Sequence, residues 1–416
     1  MGVNSAGRVA GGLVALALAL PAAASPGNGI RLGGTTGVLH PYLELESRYD
    51  SNVEYTEAKK PVGDLILHIR PGLKLSAPGE LTSVDLDANI DWNQYLGVED
   101  DTSTDLSRLE GAATLGLGIN KRGAVSFLLQ DAFRRSSSTQ AFTLGTAVIS
   151  NSNEVSASVP WRPGGGALVV TPGGSWRLET FEPYYSGALC DPATGGPGCD
   201  PDYLAKLGYN EYAGNLELRW KFLPRTAAVL FGEYFSRSVN DDVASSDGDG
   251  FRALAGLAGL FSTHVAGTAK AGFGQAKTDA GADASTWLAN LEVEWLPNEL
   301  NSVKGGYVRD VGLDPGQRAG YSTQRLYLEA RTLLGARYTA RLAGSFERRD
   351  YPSVAASSAD LLEVEPSVEA ELSRWLRAGL GYAYTKRTTD LGTGVAALPG
   401  YNYDKNEVWL RFTGTY

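Results

Sequence analysis

Apolar and polar residues alternate one by one along most of this chain, in segments of about ten or more residues, the length of a membrane-spanning strand, between Val38 and Tyr416. A period of two is the spacing of a β-strand, whose successive side chains point to opposite faces. In "NLELRWKF", Leu216, Leu218, Trp220 and Phe222 share one face while Asn215, Glu217, Arg219 and Lys221 share the other. "SVDLDANIDW" sets Val84, Leu86, Ile90 and Trp92 against Asp85, Asp87 and Asp91, and "LILHIRPGLKL" sets Leu67, Ile69 and Leu73 against His68, Arg70 and Lys74. "DLLEVEPSVEAEL" opposes Leu362, Val364 and Val368 to Glu363, Glu365, Glu369 and Glu371. The same split puts Arg325, Glu329, Arg331, Arg337 and Arg341 on the polar face of the next segments upstream, and Trp409 and Arg411 opposite Val408, Leu410, Phe412 and Tyr416 in the closing "EVWLRFTGTY". Pro71 and Pro366 fall inside two of these segments, where a missing N–H predicts a bulge or a local shift of register.

The links between segments alternate in length. Short ones include Ser76 to Glu80, Asn120 to Gly123, Arg162 to Gly166, Leu223 to Thr226, His264 to Gly267, Leu296 to Glu299, Leu334 to Arg337 and Ser373 to Trp375. Longer polar ones separate them, the longest running from Pro183 to Gly208. Eight short and nine long links join eighteen strands. An even number of antiparallel strands with short turns at one end and long loops at the other predicts an all-β fold, a transmembrane β-barrel with short periplasmic turns and long extracellular loops. A closed barrel of that size is too wide for side chains to fill. The polar face is therefore expected to point inward, to water, and the apolar face outward, to lipid. Trp92, Tyr95, Trp220, Phe222, Trp287, Trp295, Trp375, Tyr382, Tyr384, Trp409 and Phe412 lie near strand ends, as interfacial girdles require. Tyr184, Tyr185, Tyr203 and Tyr209, around the longest link, are equally consistent with girdle or sugar-stacking use.

Composition sharpens the picture. Arg8, the apolar run Leu13 to Leu20 and the "PAAAS" that follows read as a signal peptide over residues 1–24, cleaved near Ala24 and Ser25. A short periplasmic segment, 25–37, would then lead into a barrel over 38–416; it is too short for a plug domain or periplasmic repeats. Cys190 and Cys199, in "CDPATGGPGC", fit a disulfide closing one loop of an exported chain, with no His or further Cys nearby to complete a metal site. That loop could fold into the barrel as a gate or cover its outside. A net charge of -10, without a Lys/Arg-rich block, argues against a nucleic-acid partner. His40, His68 and His264 are the only histidines; His68, beside Arg70 on the polar face, is the one conceivable general base, and a lining role is the commoner use of such a residue. No catalytic residue, metal or cofactor is assigned.

The opening "HPYLELESRYDSNVEYT" and "LILHIRPGLKLS" resemble the start of the bacterial putative β-barrel porins of type 2, through His40, Pro41, Tyr42, Tyr49, Asp50, Asn52 and Val53 and then Ile69, Pro71, Gly72 and Leu73. The closing "RFTGTY" is similar to the aromatic-ended signal read by the barrel assembly machinery of the outer membrane, with Phe412 and Tyr416 at the matching positions. The resemblance implies a channel in the Gram-negative outer membrane. It further implies conduction of a secreted polysaccharide beside a periplasmic polysaccharide export protein. The lining expected from the pattern comprises Arg70, Lys74, Asp85, Asp87, Asp91, Glu217, Arg219, Lys221, Arg325, Glu329, Arg331, Arg337, Arg341, Glu363, Glu365, Glu369 and Glu371. Its mixed charge suits a neutral or lightly charged polymer, and equally a general diffusion porin for small polar solutes. An outer-membrane barrel enzyme is the remote alternative.

Overall fold

The computed structural model describes residues 27–33, 36–55, 61–138, 148–183, 201–240, 247–279, 283–314, 319–351, 357–390 and 402–416. The signal-peptide reading, Cys190, Cys199, Tyr184 and Tyr185 therefore lie outside the described residues. The strands are β1 (Ile30–Arg31), β2 (Val38–Asp50), β3 (Asp64–Ala77), β4 (Thr82–Tyr95), β5 (Arg108–Ile119), β6 (Phe127–Ser138), β7 (Val148–Ser158), β8 (Leu168–Pro183), β9 (Tyr209–Leu223) and β10 (Thr226–Val239). They continue as β11 (Gly248–Leu260), β12 (Val265–Thr278), β13 (Ala284–Asn298), β14 (Asn301–Asp314), β15 (Ala319–Leu334), β16 (Tyr338–Tyr351), β17 (Ser357–Glu371), β18 (Leu376–Asp390) and β19 (Tyr403–Thr415). Strands β2 to β19 each pair antiparallel with their sequence neighbours, and β19 closes on β2 from Glu407↔Asp50 to Thr415↔Tyr42. The result is the expected closed barrel of eighteen strands. None of the described helices is long and apolar enough to cross a membrane.

Closure is completed at the periplasmic rim by the ends of the chain. Tyr416 N–H donates to the Pro41 carbonyl at 2.9 Å, and His40 Nδ1 lies 3.2 Å from the Tyr416 carbonyl oxygen. Strand β1 pairs with Val38 and Leu39, continuing the sheet beside β2 beyond the end of β19.

The outer face carries exposed Leu43, Leu45, Ile69, Ile90, Leu109, Leu216, Leu230, Leu291, Leu326, Leu342, Val368 and Leu410. These are the apolar positions of the alternating pattern, and water is excluded where they meet hydrocarbon. Trp92, Trp220, Phe222, Trp287, Trp295, Trp375 and Phe412 also face outward and exposed near strand ends. Two expected girdle residues differ. Tyr95 and Trp409, each 4% exposed, belong to the inner face, because they share parity with Asp91 and Arg411.

Neither proline displaces the register. The β3–β4 ladder runs from Ile69↔Trp92 to Gly72↔Asn89 across Pro71, and the β17–β18 ladder from Val364↔Tyr384 to Ser367↔Gly381 across Pro366, each with its offset unchanged. The missing N–H interrupts one ladder, while Pro71 and Pro366 remain paired on their other sides with Leu43 and Leu342. A bulge or slip is therefore unnecessary.

Several inward aromatics lie flat on glycines of the next strand. A Cβ at Gly381 would overlap the Trp409 ring, one at Gly306 the Tyr327 ring, and one at Gly72 the Tyr42 ring. Glycine removes the obstacle, so a large ring covers the wall instead of projecting across the lumen. Gly381→Val is expected to lower the unfolding free energy in lipid vesicles by about 1–3 kcal/mol, the usual cost of overpacking, measured by urea titration of tryptophan fluorescence. Gly305→Val, on the outer face where the nearest atom to a new Cβ is Leu328 Cδ1 at 3.5 Å, should leave stability unchanged.

Candidate functional site: the lumen

Charge pairs line the inner wall, because alternation places ionisable groups of adjacent strands side by side over water. Lys74 meets Asp87 at 3.2 Å, Ser76 Oγ donates to Asp85 at 2.9 Å, and Arg219 meets Glu217 at 3.0 Å. Arg341 Nε lies 3.0 Å from Glu329, and Lys304 Nζ 2.9 Å from Glu292. Lys221, Arg325, Arg331, Glu363, Glu365, Glu369 and Glu371 occupy inward positions, in register with these pairs. Arg337 does not: it falls in the turn between β15 and β16, so it belongs to the periplasmic rim and not to the wall.

A denser network spans the seam, and only part of it was marked by the sequence pattern. Glu46, whose side chain is wholly buried, accepts from Arg48 on its own strand and Arg411 on β19, each at 2.6 Å. Arg48 reaches Glu407 at 3.2 Å, and Lys405 reaches Asp50 at 2.7 Å. On β3, Arg70 bridges Asp91 and Glu44. His68 Nδ1 stands 3.3 Å from Asp91, and its Nε2, 4.0 Å from Glu46, has no hydrogen-bond partner. His68 is thus embedded among charges in the wall. Glu44, Glu46, Arg48, Asp50, Lys405 and Glu407 were visible as inward positions of alternating strands; their mutual pairing depends on the β19–β2 register, which no local pattern states.

The extracellular end departs from a plain cylinder. Pairing between β13 and β14 stops at Ala289↔Arg309, whereas β14 and β15 remain paired up to Asp314↔Ala319. Above that point the described end of the β14–β15 hairpin, up to Asp314 and from Ala319, leaves the wall and touches β12 and β11 from inside. Val311 and Leu313 are buried there with Phe235, Ala276, Ala284 and Leu288. Gly248 and Gly274 form the bed and Gly320 of the hairpin lies against it, each so close to the opposing side or main chain that a Cβ would crowd it. Arg252 donates to the Val311 carbonyl at 2.7 Å and pairs with Asp310 at 2.8 Å, and Arg237 donates to the Leu313 carbonyl. Tyr351 Oη donates to Asp314 at 2.7 Å from the other side. A sequence signal existed: the upper inner faces of β12 and β13 carry Gly274, Ala276, Ala284 and Leu288, with only Thr278 and Thr286 polar among them, and a largely apolar surface inside a wet lumen must be covered.

Other extracellular links are tied down locally. Asp64 accepts from the N–H groups of Gly97 and Val98 at 3.0 and 2.8 Å and from Ser103 Oγ at 2.7 Å. Leu106 from that link and Val53 from the preceding one bury against Ile66 and Tyr95. Asp100 caps the turn Asp101–Leu106, and the Thr102 N–H holds its carboxylate below the ordinary range. Tyr209, read from sequence as a candidate sugar platform, is instead buried: it donates to Glu179 at 2.5 Å and is covered by the Arg237 guanidinium at 4.0 Å.

The sequence pattern of the family described as Putative beta-barrel porin 2 matches residues 25–415. No curated protein matches the chain. Among solved structures, the FrpB iron transporter of Neisseria meningitidis aligns at 8% identity and a TM-score of 0.48, covering 91% of this chain and 81% of that one. OpdK of Pseudomonas aeruginosa, solved with vanillate, aligns at 12% and 0.45, covering 91% and 99%. OccK3 of the same organism aligns at 13% and 0.44, covering 91% and 95%.

If the inserted end of the hairpin narrows the lumen, loosening its two anchors widens it. The double variant Arg237→Ala, Arg252→Ala is expected to raise single-channel conductance in planar bilayers by about twofold or more, since conduction follows the narrowest section. Unchanged conductance would place the constriction elsewhere.

Proposed function

Because the chain belongs to the Putative beta-barrel porin 2 family, an outer-membrane channel, we propose that it conducts small hydrated polar solutes through its lumen by diffusion. The observation that carries this reading is the lumen itself: a wall of paired charges of both signs, with the folded-in end of a hairpin at its extracellular side. Paired charges orient a dipolar solute without holding an ion of either sign strongly. That hairpin end, held by Arg237 and Arg252, favours small solutes over a polymer.

Conduction of a secreted polysaccharide is the second reading. It is supported by the resemblance of the opening strands, and by Tyr42 and Tyr327, whose half-exposed rings lie flat on the lumen wall where a sugar face could stack. It would require the inserted hairpin end to move aside and a periplasmic export protein to deliver the chain. In liposome-swelling assays, mono- and disaccharides are expected to enter freely. Loss of cell-surface polysaccharide on deletion of the gene, with little small-solute flux, would favour the second reading.

Two further outcomes are expected. The native channel should be weakly ion-selective, and Glu363→Lys with Glu365→Lys and Glu369→Lys should shift the anion-to-cation permeability ratio toward anions by about threefold or more, as rings of charge do; reversal potentials in a salt gradient measure it. Phe412→Ala with Tyr416→Ala should leave unfolded chain in the periplasm and little folded barrel in the membrane, read from heat-dependent gel mobility.

A further inference from the structure

One stretch of the lumen wall differs from the paired rows around it, because its charges face each other across a trough and are not joined. The floor of the trough is β16, where Ala343 and Ser345 stand between longer side chains of β15 and β17. Tyr327 of β15 does not fill it. Its Oη donates to Glu292 at 2.5 Å, which turns the ring over Gly306 and away from β16. The recess so left holds about 330 Å³ of solvent space, and the Arg341–Glu329 pair, at 3.0 Å, closes it on the periplasmic side.

The bank on β15 carries a cation without an anion. Arg325 is exposed and makes no ion pair or hydrogen bond among the described residues. The carboxylate directly opposite, Glu347, is already taken by Arg349 on its own strand at 2.7 Å. The bank on β17 carries carboxylates. Glu365 makes no ion pair or hydrogen bond among the described residues, and Glu363 accepts from Ser345 Oγ at 3.2 Å, which draws its carboxylate toward the floor of the trough.

Two strand spacings separate the banks, about 10 Å. An α-amino acid fits that width, with its carboxylate on Arg325, its ammonium on Glu363 or Glu365, and a contact of about 2.8 Å at either end. A net anion is attracted by Arg325 but repelled by Glu363 and Glu365, and a net cation meets the reverse. A neutral polyol has no charge to match either bank. We propose that this recess is a binding site for zwitterions, amino acids above all, on their way through the lumen. The assignment rests on the diffusion reading above and adds a preference to it.

Uptake of labelled L-threonine and labelled erythritol into the same proteoliposomes, far below saturation and above the rate of protein-free vesicles, compares a zwitterion with a neutral solute of equal heavy-atom count. The wild type is expected to admit threonine about threefold faster or more, as two solvent-exposed ion pairs allow. Excess unlabelled glycine should slow threonine entry, and excess erythritol should not. Arg325→Gln, and Glu363→Gln with Glu365→Gln, should each bring the threonine-to-erythritol ratio to parity. Parity in the wild type, or a ratio indifferent to both sets of substitutions, overturns the site, while erythritol entry leaves diffusion through the lumen standing. Entry of neither solute overturns that reading together with the site.

Discussion

Every backbone N–H and C=O within hydrocarbon must find its partner inside the protein, and this constraint governs the whole molecule. An open sheet would leave two unpaired edges in lipid. Strand β19 must therefore bond to β2, although these are the most distant of the eighteen barrel strands in sequence. The terminal residues reinforce that closure, since Tyr416 binds back to Pro41 and His40, and β1 continues the pairing of β2. The two interior prolines are tolerable because each interrupts a ladder on one side only and shifts nothing.

Closure also fixes the side chains, since a slip of one residue exchanges the two faces of a strand. At the seam a slip would turn Arg411 and Lys405 outward, at a cost that rises with depth to about 2–4 kcal/mol at the bilayer centre, and would strip Glu46 and Asp50 of their partners. Ion pairs of this kind add little net stability, but they penalise the wrong register heavily. The aromatic rings laid on glycines act in the complementary direction, as each ring fits its wall in the native register alone.

Most of the architecture was legible because one period carries it. Alternation at Glu363, Glu365, Glu369 and Glu371, or at Asp85, Asp87 and Asp91, assigns a face without any knowledge of neighbours, and link lengths assign the ends. What escaped was non-local. Arg337 follows the inward parity but falls where the strand has already turned. Tyr95 has the composition of a girdle residue, yet its parity puts it inside; for Trp409 the alternation, which sets it with Arg411, was a better guide than composition. The inserted end of the hairpin escaped because β14 and β15 alternate normally through most of their length; only the run of Gly274, Ala276, Ala284 and Leu288 on the inner faces of β12 and β13 betrays the cover. The partners of Glu46 depend on which strands the closure brings together.

The inserted hairpin separates two properties of the channel. Its anchors and its bed come from β10 to β16, a continuous stretch of the second half of the chain, whereas the seam joins β19 to β2. Permeation can therefore drift with changes at Arg237, Arg252, Val311 or Leu313 while the closing strands, which decide whether a barrel forms at all, stay as they are. A descendant of this chain could acquire a new cargo without renegotiating its assembly.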